Sequence, residues 1–373
     1  STSRRQRQMC IRDRGTDFLV GRDGERGSMA RGARQTKAAS IKDVAALAQV
    51  SVPTVSRYLN DRERVSDEKC EKIAKAIEML GYRPNPIARA LVKERTKSIA
   101  VLSTNTTLYG QSHCIEGIEE SARAAGYSLA IEILSDTSRS KLRASVQSSL
   151  DQNPAGVILL NFDQVGNDAF VYLPSDLPTV LIAGGREKET AQISLCERES
   201  GYELTKYLLS LGHRTVYHVA IPGDGGDYTR LSGWRRACEE AGVPTTVPIE
   251  AEWNPESGRE IGRKLGADPE VTAIFAGNDE LAMGIIRGLN DAGRKVPEDV
   301  SVAGFDDHPI GSIWNPELTT IRQDFRLVGM KSFELLEAKI NDLVEGNGHT
   351  ENWNRYVEIP GELIVRESTR SVR

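Results

Sequence analysis

Short apolar runs alternating with longer amphipathic stretches restrict the fold of this chain more than any other feature. The runs are SIAVL (98–102), SLAIEIL (128–134), GVILL (156–160), TVLIA (179–183), TVYHVA (215–220), AIFA (273–276) and VSVAGF (300–305). Between them lie amphipathic stretches such as 113–125, 197–211, 230–241 and 279–292. Runs this short and this rich in β-branched residues suit strands buried on both faces, and the intervening stretches suit covering helices. The expectation is an α/β body of parallel sheets. In such sheets ligands sit outside the carboxyl ends of the strands, which singles out the residues just after each run. These are Thr104 and Asn105, Asn161 and Phe162, the loop GDGGDYTR ending at Arg230, Asn278 and Asp279, and Asp306 and Asp307. Amide, guanidinium and carboxylate groups together suit a ligand rich in hydroxyls. Two of them have plainer readings: Asp279 as the cap of the helix at 279–292, and Asp307 as the holder of a turn.

At 373 residues the chain has room for two or three domains, and its net charge of -5 conceals an asymmetry. Through Lys97 there are 22 Lys and Arg against 12 Asp and Glu; the remainder has 26 against 41. A basic end on an acidic body points to a nucleic-acid module joined to something else, the alternative being a solvated basic tail.

Within that basic end, Ser40 can cap a helix over 41–48 whose Ile41, Val44, Ala45, Leu47 and Ala48 share one face. Ser51 can cap a second helix over 51–59, with Val52, Pro53 and Thr54 in its first turn, Val55 and Leu59 inward, and Ser56, Arg57 and Asn60 outward. Pro53 is no obstacle there, because its missing N–H would be unpaired anyway. A third helix runs from a cap at Ser66 to Gly81, with Ile73, Ala76, Ile77 and Leu80 as its stripe. Two helices joined by so short a turn describe a helix-turn-helix. Downstream, Asn85 can cap a short helix with Pro86 at its first position and Ile87, Ala88, Ala90 and Leu91 following. Isolated helices need roughly 12 to 15 residues to persist in water, so this one is expected to form only on a partner.

The first 39 residues are rich in Arg, Gly and Asp, lack any period and are expected to be disordered. Met29 reads as the natural start. MCIRDR, from Met9 to Arg14, is what the transposon-end adapter ATGTGTATAAGAGACAG encodes in one frame when a base completing an Arg codon follows, so residues 1–28 are expected to be non-native, the alternative being a genuine disordered leader. Cys10, Cys70, Cys114, Cys196 and Cys238 form no CxxC pair and stand near no His at metal-ligand spacing, which predicts reduced thiols, no structural metal and no cofactor. No apolar run approaches the ~20 residues that span a bilayer, and no signal peptide is evident, so a cytoplasmic, nucleoid-associated protein with no membrane partner is expected.

DVAALAQVSVPTVSRYLN, VSDEKCEKIAKAIEMLGYRPNPIARAL, TKSIAVL, RLSGW, FAGNDELAMGII, VSVAGFDD, PELTTIRQDF and ELIVREST together resemble the lactose/galactose-repressor (LacI/GalR) family of bacterial transcription regulators, from about residue 40 to the end. VSVPTVSR followed by YRPNPIAR at this distance is far more specific than a lone helix-turn-helix. The resemblance implies an α-helical helix-turn-helix headpiece (40–82), a hinge helix and linker (83–97), and a periplasmic-binding-protein-like core (98–373). That core would comprise two α/β parallel-sheet subdomains with the chain crossing between them. It implies effector contacts from Arg230, Asn278, Asp306 and Gln323, beside Asn161, with Trp253 as an apolar wall; Trp253 as ordinary core is the alternative. Where several sugar-responsive relatives place a carboxylate after the fourth strand, this chain has Ala183-Gly184-Gly185, which removes a hydroxyl acceptor and leaves room.

Function follows as an expectation: a DNA-binding repressor controlled by a small effector, most readily a sugar, and acting as a homodimer on a pseudo-palindromic operator. The helix from Ser51 would enter the major groove. Val52 and Pro53 offer only apolar contact, such as to a thymine methyl, whereas Arg57 can take a guanine edge with two hydrogen bonds. Arg31, Arg34, Lys37, Lys42 and Arg62 would meet phosphates. Asn85, Ala88, Arg89 and Leu91 belong to the hinge, where Leu91 either wedges between base pairs or packs hinge on hinge. Gln49 departs from relatives that have Gly in this turn; either the turn differs or a left-handed backbone costs ~1 kcal/mol.

Other classes fit less well. The five histidines lie in unlike contexts and neither GxSxG nor GxxxxGK[ST] occurs, so an enzyme is not expected. A secreted solute-binding protein, the alternative, would share the core but carry a signal peptide and lack the headpiece.

Overall fold

The computed structural model describes residues 41–60, 65–80, 96–134, 138–185, 190–345 and 354–372. The hinge segment around Asn85, Ala88, Arg89 and Leu91, and the first 40 residues, lie outside the described residues. The chain divides into two compact units, Ser1–Pro84 and Asn85–Arg373.

In the first unit α1 (Ile41–Leu47), α2 (Val52–Asn60) and α3 (Asp67–Leu80) close around Val44, Ala45, Ala48, Val55, Val65, Cys70, Ile73 and Ala76. Leu59 packs at the margin of this core and is only partly buried. The turn after α1 settles the question of Gln49. Its φ is 54°, and the N–H groups of Gln49 and Val50 reach back to the carbonyls of Ala46 (3.3 Å) and Ala45 (3.0 Å). This is the glycine-type helix ending built on a residue with a side chain, at a cost of about 1 kcal/mol. Ser51 then starts α2: its side-chain and main-chain oxygens accept from Thr54 N–H at 3.3 and 2.9 Å, and Pro53 is the second helical residue.

The second unit contains two parallel sheets. The first runs through β1 (Ser98–Ser103), α4 (Tyr109–Ala124), β2 (Ser128–Ile133), α5 (Arg139–Leu150), β3 (Gly156–Leu160), α6 (Gln164–Phe170), β4 (Thr179–Ala183) and β5 (Ala191–Ser194). The chain continues through α7 (Glu197–Ser210), β6 (Tyr217–Ala220), α8 (Arg230–Glu240), β7 (Ile249–Glu250), α9 (Pro255–Gly266), β8 (Ala273–Ala276), α10 (Asp279–Asp291) and β9 (Ser301–Ala303). β10 (Thr320–Arg322), α11 (Phe325–Glu345), β11 (Tyr356–Glu358) and β12 (Glu362–Ile364) complete it.

The first sheet has the order β11-β5-β4-β3-β1-β2, and the second β7-β6-β8-β9. All strand pairs in both are parallel. Alternate residues of β1 go to opposite cores: Ile99 and Val101 meet α4 and α11, while Ala100 and Leu102 meet α5 and α6. In the second sheet Ile274 and Ala276 face α9 and α10, whereas Ala273 and Phe275 face α7 and α8. The chain passes between the sheets at Leu195–Cys196, Gln323–Asp324 and Ile359–Gly361.

The expected run at 300–305 pairs with β8 only over Ser301–Ala303; beyond it the chain bridges to the 319–322 segment, with Gly304 and Asp306 N–H donating to the carbonyls of Thr319 and Ile321 at 2.9 and 2.8 Å. β10 and β12 form an antiparallel pair that the parallel-sheet expectation did not include. The four described cysteines are free and buried, and burial pushes the Cys238 thiol up to about 11. No helix among the described residues is long and apolar enough to cross a membrane.

Candidate functional site

On the first unit, Val52, Pro53 and Arg57 are exposed along α2, and Lys42 is exposed on α1. Thr54 is partly buried, its Oγ1 2.8 Å from Ser51 Oγ, so both hydroxyls are engaged in the helix start. Ser56 and Asn60 lie on α2, but their side chains are outside the described residues. α2 thus carries an exposed face with an apolar tip and one guanidinium.

In the second unit a cleft of about 620 Å³ opens where the carboxyl ends of both sheets meet. From the first sheet's side come Tyr109, Gln111, Asn161, Phe162, Asp163, Gly184 and Phe325. From the other come Glu197, the 221–230 loop, Trp253, Asn278, Glu280 and Asp306. Each half supplies aromatic surface and polar groups, as a site for a small polar molecule requires.

Arg230, the first residue of α8, is the electrostatic centre and is 4% exposed. Thr229 caps α8, and its side chain and that of Ser232 exchange hydrogen bonds with each other's backbone. Arg230 Nη2 stands 2.9 Å from Glu197 Oε1 and 3.2 Å from Asp306 Oδ1, and Nη1 donates to the Gly277 carbonyl. Its guanidinium carbon lies 4.1 Å from the centre of the Phe305 ring. Burial opposes the charge, yet Asp306, Glu197 and Asp224 outweigh it and hold the guanidinium above its ordinary range. Burial likewise pushes Asp306 up to about 7 against the pull of Arg230. Arg230 Nε is buried with no hydrogen-bond partner, and Asp306 Oδ1 is held by its ion pair with Nη2 without a well-aligned hydrogen bond. With its left-handed backbone, Asp306 is a strained residue at the site.

The 221–230 loop is fixed from beneath. His218, fully buried and stacked on Trp234, lies 3.1 Å through Nε2 from Asp224 Oδ2, and Asp224 Oδ1 accepts from Leu231 N–H. On the opposite wall Tyr109 meets Phe325 and also His308, ring centres 4.8 Å apart, so this contact spans the two subdomains.

Asn161, Arg230, Trp253, Asn278 and Asp306 all line the cleft. Trp253 does so while packing against the second subdomain's core, which joins its two readings. Gln323 does not line the cleft: it sits at a crossing between subdomains and donates from Nε2 to the Leu195 carbonyl at 3.2 Å. Asp279 does not cap α10; Asn278 does, accepting from Leu281 N–H, and Asp279 instead accepts from His308 N–H and Thr320 Oγ1. Asp307 holds its turn through Arg322 and Arg366. Thr104 is turned to Asp163, and Asn105 accepts from Thr107 and Leu108 N–H, so neither lines the cleft.

The glycines after β4 also need correction, because the room they leave is filled. A Cβ at Gly185 would lie 2.3 Å from Tyr228 Cβ, and one at Gly184 would lie 2.9 Å from the Tyr228 carbonyl and 3.0 Å from Glu197 Oε2. Glu197 is thus the residue that reading the strand ends missed. It opens α7 directly after a crossing, and no apolar run ends in front of it to mark the position. Tyr109 and Phe325 were missed for a similar reason: each begins a helix rather than following a strand directly.

Among the described residues no group of His, Cys, Asp and Glu is placed to hold a metal ion.

Residues 40–85 match the family described as bacterial regulatory proteins, lacI family, and residues 205–369 match the periplasmic binding protein-like domain. The HTH-type transcriptional repressor PurR of Vibrio parahaemolyticus is 32% identical over 348 residues, covering 90% of this chain and 99% of that protein. PurR of Pasteurella multocida is also 32% identical over 348 residues, covering 89% of this chain and 99% of its own. Among solved structures, the lac repressor dimer bound to operator and the anti-inducer ONPF matches with a TM-score of 0.78 and 26% identity over 90% of this chain and 100% of that one. The complex of the transcriptional regulator CelR with cellobiose matches with a TM-score of 0.63 and 26% identity over 88% of this chain and 99% of its own.

Proposed function

The chain belongs to the LacI family of bacterial regulatory proteins, and on that premise we propose that it is a transcriptional repressor whose operator affinity is set by a small hydroxyl-rich effector held in the cleft. The observation that carries the effector half is the unpaired Arg230 Nε beside the loosely held Asp306 carboxyl, two residues that line the cleft. Arg230 Nε is a buried donor with no partner, and Asp306 Oδ1, held only by its ion pair with Arg230 Nη2 at 3.2 Å, keeps acceptor capacity. A hydroxyl both donates and accepts, so a polyol can satisfy the two while its apolar faces rest on Trp253, Tyr109 or Phe162. Leaving the Arg230 Nε donor unpaired costs ~1 to 3 kcal/mol, which a bound polyol recovers.

The DNA half rests on the exposed α2 face. Lys42 serves phosphate contact, Arg57 a guanine edge, and Val52 with Pro53 apolar base contact. Two copies of the chain form a homodimer that places two such helices on a near-palindromic operator in the cytoplasm. Effector binding changes the closure of the two subdomains and thereby the hinge segments, where Asn85, Ala88, Arg89 and Leu91 meet the minor groove. That the effector is a carbohydrate, and that DNA binding represses, are parts of this proposal; the names of PurR, the lac repressor and CelR support them.

A footprint of the full chain on the DNA upstream of its own gene tests the reading. A protected site with affinity falling steeply with salt is expected, since each phosphate contact releases counterions. Absence of any protected site favours a solute-binding role for the same core.

A further inference from the structure

Among the described residues, six carboxylates line the cleft: Asp163, Glu197, Asp224, Asp227, Glu280 and Asp306. The single Lys or Arg in that lining is Arg230. A lone buried arginine in a ligand site is ordinarily an anion hook, because guanidinium grips phosphate or carboxylate through two parallel N–H groups. Here the hook is already closed. Both two-pronged faces of the guanidinium include Nη2, and Nη2 is flanked by Glu197 Oε1 at 2.9 Å and Asp306 Oδ1 at 3.2 Å. Only Nε remains without a partner.

Glu197 is built into this position rather than resting there. Cys196 before it holds a left-handed backbone with φ of 52°, and Glu197 N–H donates to the Gly184 carbonyl at 3.1 Å. Gly184 in turn lacks the Cβ that would press on Glu197 Oε2. The exchange is legible across two elements: the carboxylate absent after β4 is supplied from the first turn of α7.

We propose that Glu197 is the charge filter of the cleft, so that the effector is a polyhydroxylated molecule without an anionic group and its phosphorylated or carboxylated counterparts are excluded. The inference rests on reading the cleft as the effector site and goes beyond it by naming the charge class and the residue that sets it. An anion entering here meets carboxylates that a single, already paired arginine does not offset, and like charges in a poorly solvated site repel strongly.

The test is a binding panel of matched pairs on the full chain, by thermal shift and then calorimetry: hexoses, pentoses, cellobiose and nucleosides, each with its phosphate, and hexoses with their uronic acids. At least one uncharged compound is expected to bind, with its anionic counterpart weaker by about tenfold or more. Glu197→Gln removes the negative charge beside Nη2 and is expected to narrow that ratio by about tenfold, chiefly by strengthening the anion. Glu197→Asp withdraws the carboxylate by one methylene and serves as the second variant if the amide does not fold. A phosphate that binds the wild type as tightly as its uncharged partner overturns the filter while leaving the effector site intact. A ratio unchanged in a folded variant removes Glu197 as its cause. If no compound of either kind binds, the effector reading itself fails, and the filter with it.

Discussion

Gln323 donates a hydrogen bond from Nε2 to the carbonyl of Leu195, 3.2 Å away, and so ties two of the segments through which the chain passes between its subdomains. Both residues are buried, and the bond lies behind the cleft rather than in it. Gln323→Ala is therefore expected to change the coupling between effector and operator, ordinarily about 1 to 3 kcal/mol, while effector affinity moves by only about threefold or less. Effector calorimetry and operator titrations on the same variant separate these quantities. A large loss of effector affinity with coupling intact would return Gln323 to the ligand contacts.

Arg230 is the counter-ion of two buried carboxylates. Arg230→Met fills similar space but leaves Glu197 and Asp306 facing each other, and the core is expected to lose about 3 to 5 kcal/mol in urea unfolding. Effector binding should disappear as well. A loss below about 1 kcal/mol would mean that water already screens the pair.

Asp306 gives stability a particular pH dependence. Its folded value of about 7 lies above the ordinary 3.8, so between these the folded state holds a proton that the unfolded state releases. This contribution to stability is full below about pH 4 and is lost as pH rises to about 7. His213, whose value burial lowers from the ordinary 6.5, acts in the opposite direction, its contribution being lost as pH falls below that value, so the difference between wild type and Asp306→Asn isolates the carboxyl. That difference is expected to shrink in favour of Asn as pH rises. A parallel pair of profiles would contradict the protonation assigned to Asp306.

Gln49→Gly tests the helix ending in the first unit. Glycine adopts a φ of 54° without a Cβ clash, and the headpiece is expected to gain up to about 1 kcal/mol, read from its thermal midpoint or resistance to proteolysis. Loss of stability would mean that the Gln49 side chain contributes more than its backbone costs.

What could be read from the sequence follows the physics of each feature. Strands such as Gly156–Leu160 and Thr179–Ala183 are buried on both faces, so their whole length is written as an apolar run, and the residues after them led to Asn161 and the cleft. The helix-turn-helix was legible because Ser51 and the inward Val44 and Val55 obey local rules of capping and period. α11 was not, since apolar residues such as Val328, Phe333 and Leu336, and even Lys339, are buried around much of its circumference and blur the helical period. Glu197 and Gln323 belong to the crossings, whose roles depend on which distant segments meet there: the Gly184 carbonyl for one and the Leu195 carbonyl for the other. Neither pairing leaves a trace in local sequence.

Operator affinity measured with the cleft empty and with it saturated bears most directly on the account, because it asks whether the cleft governs the DNA-binding unit. With the uncharged compound that stabilises the wild type most, the operator dissociation constant is predicted to shift by about fivefold or more, in either direction. Arg230→Met, where it remains folded, should bind operator but lose the shift. An operator affinity indifferent to cleft occupancy in the wild type, or the same shift in Arg230→Met, would contradict the account.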